Sequence, residues 1–356
     1  MNILVTGIAG FIGSRTTHLL LEQGHTVIGI DNLNHYYDLR LKYYRLRELA
    51  RAQGADAALV EQLEPENISF RAEPIRSFSA GRLTYHTCDA EHLEQMIQVV
   101  GDEKIDVVIN LAARAGVRYS MDNPHIYMTT NAHGTLNVLE LMRLKSIPKL
   151  VLASTSSLYA GLPMPFVETL PVNTPISPYA ATKKAAEAMA YTYHHLYGID
   201  VSIVRYFTVF GPAGRPDMAP YRFTKWIHDG TPIMLYGDGE QSRDFTYIDD
   251  VARGTIAAFK EVGYSIFNLG GGNNPISMNR TIRWIEEFFG KKAKIEHKPF
   301  HQADMQVTYA NIDKAKSELG WAPVMDVREG FQKTTQWYLD NESWLREVSV
   351  WENPTS

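Results

Sequence analysis

The chain has 356 residues, which at roughly 150 per domain implies about two domains. Its 35 basic and 40 acidic residues leave a net charge of −5, and 45% of residues are apolar, so neither a nucleic-acid partner held by a basic surface nor a disordered chain is expected. No apolar run approaches the roughly 18 residues of a membrane span, Met1 leads straight into an apolar run without room for a signal peptide, and the single cysteine, Cys88, excludes an internal disulfide framework, so a cytoplasmic protein without a membrane partner is expected.

Asn2 to Thr6 is expected to form a strand. Gly7-Ile8-Ala9-Gly10-Phe11-Ile12-Gly13 follows with the spacing G-x-x-G-x-x-G. A helical stretch from Ser14 to Gln23 stops at Gly24, and a second strand, Thr26 to Ile30, ends at Asp31. This order suits a dinucleotide. Glycines admit the backbone to a pyrophosphate, and the helix N-terminus offers free N–H groups and a positive dipole end. Asp31 lies 24 residues beyond Gly7, close to the roughly 20 expected for the acid that holds an adenosine ribose. A carboxylate there would repel a 2′-phosphate, which favours NAD over NADP. Glycines that serve only packing are the alternative, and the strand–helix–strand–acid context argues against it.

Residues 39–64 read as a long polar helix or helix pair. Residues 65–81, with two prolines and several serines, read as an irregular surface excursion, with a substrate lid or oligomer contact as the alternative. Further strands are expected at 83–86, 107–111, 150–154, 201–206 and 265–269. Helices are expected at 93–100, 126–143 and 178–197. Strands alternating with helices imply an α/β fold, with a parallel sheet covered on both faces. After about residue 210, Gly and Pro become frequent and helical stretches follow at 278–289, 312–319 and 327–339. This looks like a smaller domain closing over the strand ends, where ligands sit in such sheets.

Tyr179 and Lys183 stand at i and i+4 behind Pro178, which suits a first helical position. A tyrosine ionises near pH 10, and a neighbouring ammonium together with an oxidised nicotinamide would favour the phenolate. Tyr179 is thus a candidate general base. Upstream, Ser154-Thr155-Ser156-Ser157 places hydroxyls at a strand's carboxyl end, where they could hold a substrate oxygen. Cys88 is expected to be a buried, inert thiol. His297 and His301 are separated by Pro299, so a loop without metal is expected. His194 and His195 are expected to be structural, and Gly270-Gly271-Gly272 to be a turn.

Taken together, Thr6 to Gly13, Asp31-Asn32, Leu111-Ala112-Ala113, Ser154 to Ser157 and Tyr179 to Lys183 resemble the extended short-chain dehydrogenase/reductases of the nucleotide-sugar epimerase and dehydratase group, over nearly the whole chain. The resemblance implies a Rossmann-type doubly wound parallel sheet with a smaller α/β substrate domain on its C-terminal side. Residues 1–208 would mainly bind NAD and 209–356 mainly the nucleotide sugar, with a segment near 245–270 returning to the first. It implies NAD contacts at Gly7, Gly10, Phe11, Ile12, Gly13, Asp31, Asn32, Asp89, Ala90, Leu111, Ala112, Ala113, Tyr179 and Lys183. It makes Thr155 the hydroxyl partner of Tyr179, with Ser156 the second choice, and Asn131 a prop of the site. Alanines around Lys183 allow close helix packing, which in this family implies a homodimer.

Dehydratases of the group place Asp-Glu directly after the threonine and decarboxylases a glutamate two residues on. Here Ser156 and Ser157 follow, which leaves epimerisation. Residues 113–120, 207–218 and 243–250 resemble the branch that epimerises UDP-glucuronate to UDP-galacturonate at C4, although Ala160 and Ala213 replace the Gly and Trp usual there. Arg114, Thr208, Arg215, Arg243 and Asp304 would contact a UDP-sugar, and no metal is implied. In the implied reaction Tyr179 takes the C4 hydroxyl proton, Thr155 bonds the same oxygen, and Lys183 holds the cofactor ribose. A transient 4-keto sugar turns over before hydride returns, while Arg215 clamps the carboxylate and slows loss of carbon dioxide. Neutral UDP-sugar epimerisation and UDP-glucuronate decarboxylation are the alternatives.

Overall fold

The computed structural model describes residues 1–68, 75–272, 275–300 and 305–350. Its strands, in chain order, are β1 (Asn2–Thr6), β2 (Thr26–Asp31), β3 (Ser77–Ala80), β4 (Leu83–Thr87), β5 (Val107–Asn110), β6 (Lys149–Thr155) and β7 (Asp200–Tyr206). Then come β8 (Thr208–Phe210), β9 (Ile233–Tyr236), β10 (Ser242–Arg243), β11 (Phe245–Tyr247), β12 (Tyr264–Leu269), β13 (Ile276–Ser277) and β14 (Ile295–Lys298).

Among the described residues eight strands form one sheet, in the order β12-β7-β6-β5-β1-β2-β4-β3. All neighbours are parallel except the edge pair β3–β4. The chain builds outward from β1 to β2 and β4, then resumes on the other side at β5. The strand order therefore reverses between β1 and β5, and the crevice beyond their carboxyl ends is where such sheets bind ligands. Successive residues of these strands face opposite cores. Ile3, Val5, Val107, Ile109 and Val151 belong to one apolar cluster, and Leu4, Val108, Leu150 and Leu152 to the other. Burial on both faces explains the near-continuous apolar runs in the sequence.

A third apolar cluster gathers Phe210, Phe223, Trp226, Ile233, Phe245, Ile282 and Phe331 around the short sheets β8–β11, β9–β14 and β10–β13. It meets the glycine turn through Phe11, while the helix Ile248–Ala257 packs on the helix Phe11–Glu22.

Three elements differ from the sequence reading. The excursion 65–81 is not irregular throughout: β3 forms a hairpin with β4, because Phe78 and Ala80 point inward and Ser77 and Ser79 outward, and Phe78 stacks on Tyr85 with centroids 5.2 Å apart. The expected helix 126–143 is broken into Pro124–Tyr127, a π-helical turn Met128–His133 and a helix Gly134–Lys145. His297 lies in β14 rather than a loop, paired in parallel with Leu235, while His301 falls outside the described residues. Residues 39–64 form a helix pair as expected, Leu39–Ala52 and Ala57–Gln62, the first buried through Leu41, Lys42, Arg45 and Leu46.

Candidate active site

The glycine turn is built for close approach. Gly7 adopts φ +73° and donates its N–H to Ile30 O at 2.7 Å. A Cβ on Gly7 would stand 2.8 Å from the Ala112 nitrogen, and one on Gly13 would stand 2.2 Å from Gly7 O. Gly10 caps the helix Phe11–Glu22 and has no side chain to bond its first-turn amides. Those N–H groups are left for an anion. Thr6 joins β1 to β5 at the crevice: its hydroxyl donates to Asn110 Oδ1 at 2.7 Å and accepts from Leu111 N and Ala112 N at 3.1 and 3.0 Å.

A crevice opens there, lined by Gly7, Gly10, Asp31, Asn32, Asp89, Ala90, Leu111, Ala112, Ala113 and Arg114. Asn32 donates to Asp89 at 2.9 Å. Lys42, which the sequence reading missed, donates to Asp31 Oδ1 at 3.2 Å, so the acid is not a bare negative charge. The signal for it was a lysine in the helix that follows the acid. The side chains of Phe11 and Ile12 pack into apolar clusters instead of lining the crevice, which leaves their backbone N–H groups as their contribution. Uncapped amides, side-chain-free glycines and a carboxylate at the end of the second strand fit a dinucleotide.

The second group of residues sits at the ends of β6 and the helix Pro178–Tyr197. Ser177 caps that helix, accepting from Ala180 N at 3.2 Å, and Pro178 opens it. Tyr179 is buried, with the Thr155 hydroxyl near its phenol. Thr155 itself caps the turn Ser156–Tyr159, accepting from Ser157 N at 3.1 Å, with Ser156 buried beside it. Burial pushes the Tyr179 phenol above its ordinary pKa, while Thr155 and the positive charge of Arg215 pull it back. The charge of Arg215, which the helical spacing did not announce, thus acts on Tyr179. Lys183 donates to Ala153 O at 2.9 Å, and burial pushes it down to about 8, with Glu187 pulling upward. The helix crosses close over β6, so the long side chain reaches the strand backbone. Asn131 lies in the π-helical turn; it accepts from Arg114 N at 2.8 Å and donates to Arg114 O and Thr182 Oγ1 at 2.9 and 3.1 Å. The wider turn aims this side chain inward, a common use of π-helical turns at functional sites.

Around Tyr179 stand residues the sequence reading left unassigned. Tyr127 packs edge-on to it at 6.1 Å and donates to Ala115 O and Gly116 O, both at 3.0 Å. Tyr36 donates to the same Ala115 carbonyl. Burial and Asp217 push its hydroxyl up to about 12. Arg114 and Arg215 both lie over the Tyr36 ring, at 5.7 and 5.6 Å. Gly116, at φ +111°, makes room for this: a Cβ would meet Tyr36 Oη at 2.7 Å. Arg215 donates through Nε and Nη2 to Asp217 at 3.0 and 2.5 Å, a two-pronged pair that raises its already high pKa. The clue to Asp217 was a carboxylate two residues from the arginine.

The remaining residues that the resemblance assigned to a UDP-sugar are spread out. Thr208 is half-buried in β8, its N–H donating to Asp244 O at 3.2 Å. Arg243 is in β10 and donates to Ser242 O at 2.9 Å. Asp304 lies outside the described residues. Cys88 is buried, its thiol pushed up to about 11 by burial and Asp89. No helix among the described residues is long and apolar enough to cross a membrane, and none of them form a group of three metal-binding side chains.

Residues 3–270 match the NAD-dependent epimerase/dehydratase family. The chain belongs to that family. It is 52% identical over 347 residues to a UDP-glucuronate 4-epimerase of Thermodesulfobacterium geofontis, covering 98% of this chain and 99% of that one. It superimposes on a UDP-glucuronic acid 4-epimerase of Bacillus cereus, solved with UDP-glucuronic acid and NAD, with a TM-score of 0.81, 32% identity and coverage of 96% and 100%. A UDP-glucose 4-epimerase of Thermotoga maritima, solved with UDP-glucose, gives a TM-score of 0.78 at 27% identity and the same coverage. The two solved relatives name different sugars at similar backbone similarity. The choice of sugar must therefore be argued from side chains.

Proposed function

We propose that the protein is an NAD-dependent epimerase that interconverts UDP-glucuronate and UDP-galacturonate at C4. The observation that carries this reading is the buried Tyr179 with the Thr155 hydroxyl near it and the half-buried Arg215 close enough for its charge to act on the phenol. The 52% identity to a relative named for this reaction supports it. When bound, NAD supplies the acceptor that takes hydride from C4 and gives it back.

The chain's own residues do the rest. Tyr179, as phenolate, takes the proton of the C4 hydroxyl and later returns it. Thr155 donates to the same oxygen and keeps it aligned with the tyrosine. Arg215 favours the phenolate through its charge and offers its remaining N–H groups to a uronate carboxylate. Lys183 would hold the cofactor ribose, and Phe11 and Ile12 would give backbone N–H groups to its diphosphate. Asp31 would take the adenosine ribose. Arg114, Thr208, Arg243 and Asp304 are assigned to the UDP-sugar.

A neutral UDP-sugar is the second reading, and one observation favours it. The Arg215 fork already faces Asp217, so a substrate carboxylate has to share or displace that partner. We assign the protein to the cytoplasm and to a homodimer. Leu196 and Tyr191 on the helix Pro178–Tyr197, and Leu144 on the helix Gly134–Lys145, are exposed apolar side chains that a second copy would cover.

Proton NMR of the purified protein with UDP-glucuronate and no added NAD tests the reading. Galacturonate signals are expected, and they also show that NAD co-purifies. Pentose signals would mean decarboxylation. No change even with NAD supplied would turn the assignment to neutral UDP-sugars.

A further inference from the structure

Behind the reacting groups lies a buried ionic network that the proposed chemistry does not use. Glu187 stands one helical turn beyond Lys183, and both it and Arg205 on β7 are 1% exposed. Arg205 donates through Nε and Nη2 to the two Glu187 oxygens at 2.8 and 2.7 Å. Its Nη1 donates to Tyr159 Oη at 2.7 Å, and Tyr159 donates to Asn268 Oδ1 at 2.8 Å. Ser154, the residue before Thr155, donates to Glu187 Oε1 at 2.7 Å. Lys183 donates to the carbonyl of Ala153, the residue before that. Two successive inward side chains of the helix thus grip two successive residues of the strand that ends in Thr155.

Buried ion pairs seldom add net stability, since desolvation offsets their attraction and apolar replacements often fold as well. Their charge and geometry nevertheless act on neighbours across a low-dielectric interior. We propose that Glu187 and Arg205 are a positioning pair for the reaction. They fix Thr155 and Lys183 relative to each other across the helix–strand junction, and they set the local field in which the Lys183 ammonium works. The proposal rests on the epimerase reading only for the roles given to Thr155 and Lys183.

The sign of that field follows from the groups facing it. Glu187 lies on the lysine's own helix, with Tyr179 one turn before and Lys184 3.8 Å from the Glu187 carboxylate. Arg205 comes from β7, Tyr159 from the turn after β6, and Tyr264 from β12, its hydroxyl donating to Glu187 O at 3.4 Å. Arg215 adds a positive charge that acts on Tyr179. Glu187 is the group that favours the charged lysine against burial. Removing its charge leaves Arg205 unbalanced and makes the ammonium easier to lose. Removing the Arg205 charge leaves Glu187 unbalanced and makes it harder to lose.

The test uses the cofactor-loaded protein and the variants Glu187→Gln and Arg205→Met. Two readouts are taken: the alkaline limb of the kcat profile between pH 6 and 10, and the Lys183 side-chain resonance in lysine-labelled protein without substrate, assigned by its loss in Lys183→Met. In Glu187→Gln both midpoints are expected to fall by about one pH unit, and in Arg205→Met to rise by about as much. kcat at the optimum is expected to drop about tenfold in both, with KM little changed. Shifts of the same sign in both variants, or no shift in either, would overturn the proposal, because a purely structural role moves amplitude and not opposed midpoints. If Arg205→Met does not fold, Glu187→Gln decides alone: a downward shift supports the pair, and a flat or upward one overturns it. The resonance needs no substrate, so a wild type inactive on UDP-glucuronate would sink the epimerase reading and leave this result standing.

Discussion

The two ends of the crevice are made of different materials. The cofactor end, Thr6 to Gly13, is mostly backbone: its shape depends on side chains that are missing, and its partners Ile30, Leu111 and Ala112 are strand ends in fixed register. The end we assign to the sugar is mostly side chain. Tyr36, Arg114, Tyr127, Tyr179 and Arg215 come from separate segments and meet through rings and ions. A backbone site accepts one class of ligand and tolerates almost no change. A site of side chains can be retuned, because a charge such as Arg215 beside Asp217 already has a competitor.

The largest effect that separates the two ends is expected for Tyr179→Phe. It removes the proton carrier and nothing from the glycine turn. kcat is expected to fall by about 10²–10⁴-fold, with NAD still co-purifying as read from the absorbance ratio at 260 and 280 nm. Loss of the cofactor along with the activity would mean that the two ends are not independent.

Gly13→Ala probes the opposite end. The new Cβ would lie 2.2 Å from Gly7 O, a backbone atom that can move only with the turn. Such overpacking costs about 1–3 kcal/mol, and the displaced turn also loses its aim on the diphosphate. The variant is expected to purify without NAD yet still bind UDP by calorimetry. A variant that keeps its NAD would show that the turn is looser than its contacts imply.

Arg215→Ala sharpens the sugar end. A charge-assisted bond lost to a uronate corresponds to about 1.5–3 kcal/mol, so KM for UDP-glucuronate should rise by roughly 10–150-fold. For UDP-glucose the rise should be severalfold at most. Equal losses for both sugars would assign Arg215 to Asp217 and Tyr179 alone.

The contrast also explains what the sequence could show. The glycine turn was legible because its contacts are local and its residue type is forced by space. The large sheet was legible because burial on both faces makes its strands apolar throughout, and Leu93–Val100, Pro178–Tyr197 and Met278–Phe289 form helices with the bounds expected. Strands such as β10 and β13, of two residues each, are too short to carry a period. The tyrosines escaped notice for another reason. Tyr36 and Tyr127 converge on Ala115 and Gly116, a meeting fixed by topology and by a glycine at φ +111° that no local spacing announces. Helical spacing puts Tyr179 and Lys183 on one face, but it does not announce that Arg215 also acts on the tyrosine or that the lysine donates to Ala153 O.

The smallest expected effect concerns Asp244, which neighbours Arg243 in a segment of the sugar-binding resemblance and yet serves the backbone. Its Oδ2 accepts from Ala310 N at 2.9 Å and Gly272 N at 3.3 Å, which ties the glycine turn after β12 to the segment beyond β14. Burial pushes this carboxyl up to about 6, against the pull of those amides. An unfolded aspartate titrates near 3.9, so between pH 4 and 6 the native state binds the extra proton. Its contribution to stability therefore falls as pH rises through that window, by on the order of 2–3 kcal/mol. Asp244→Asn keeps an acceptor oxygen and cannot ionise. The melting temperature of the variant minus that of the wild type should shift steadily in favour of asparagine from pH 4 to pH 7, with kcat at neutral pH unchanged within a few fold. A difference that stays flat would mean that the carboxyl does not titrate there. A large loss of kcat would move Asp244 from the scaffold of the sugar end into its chemistry, and the line drawn between a backbone-built and a side-chain-built half would have to run elsewhere.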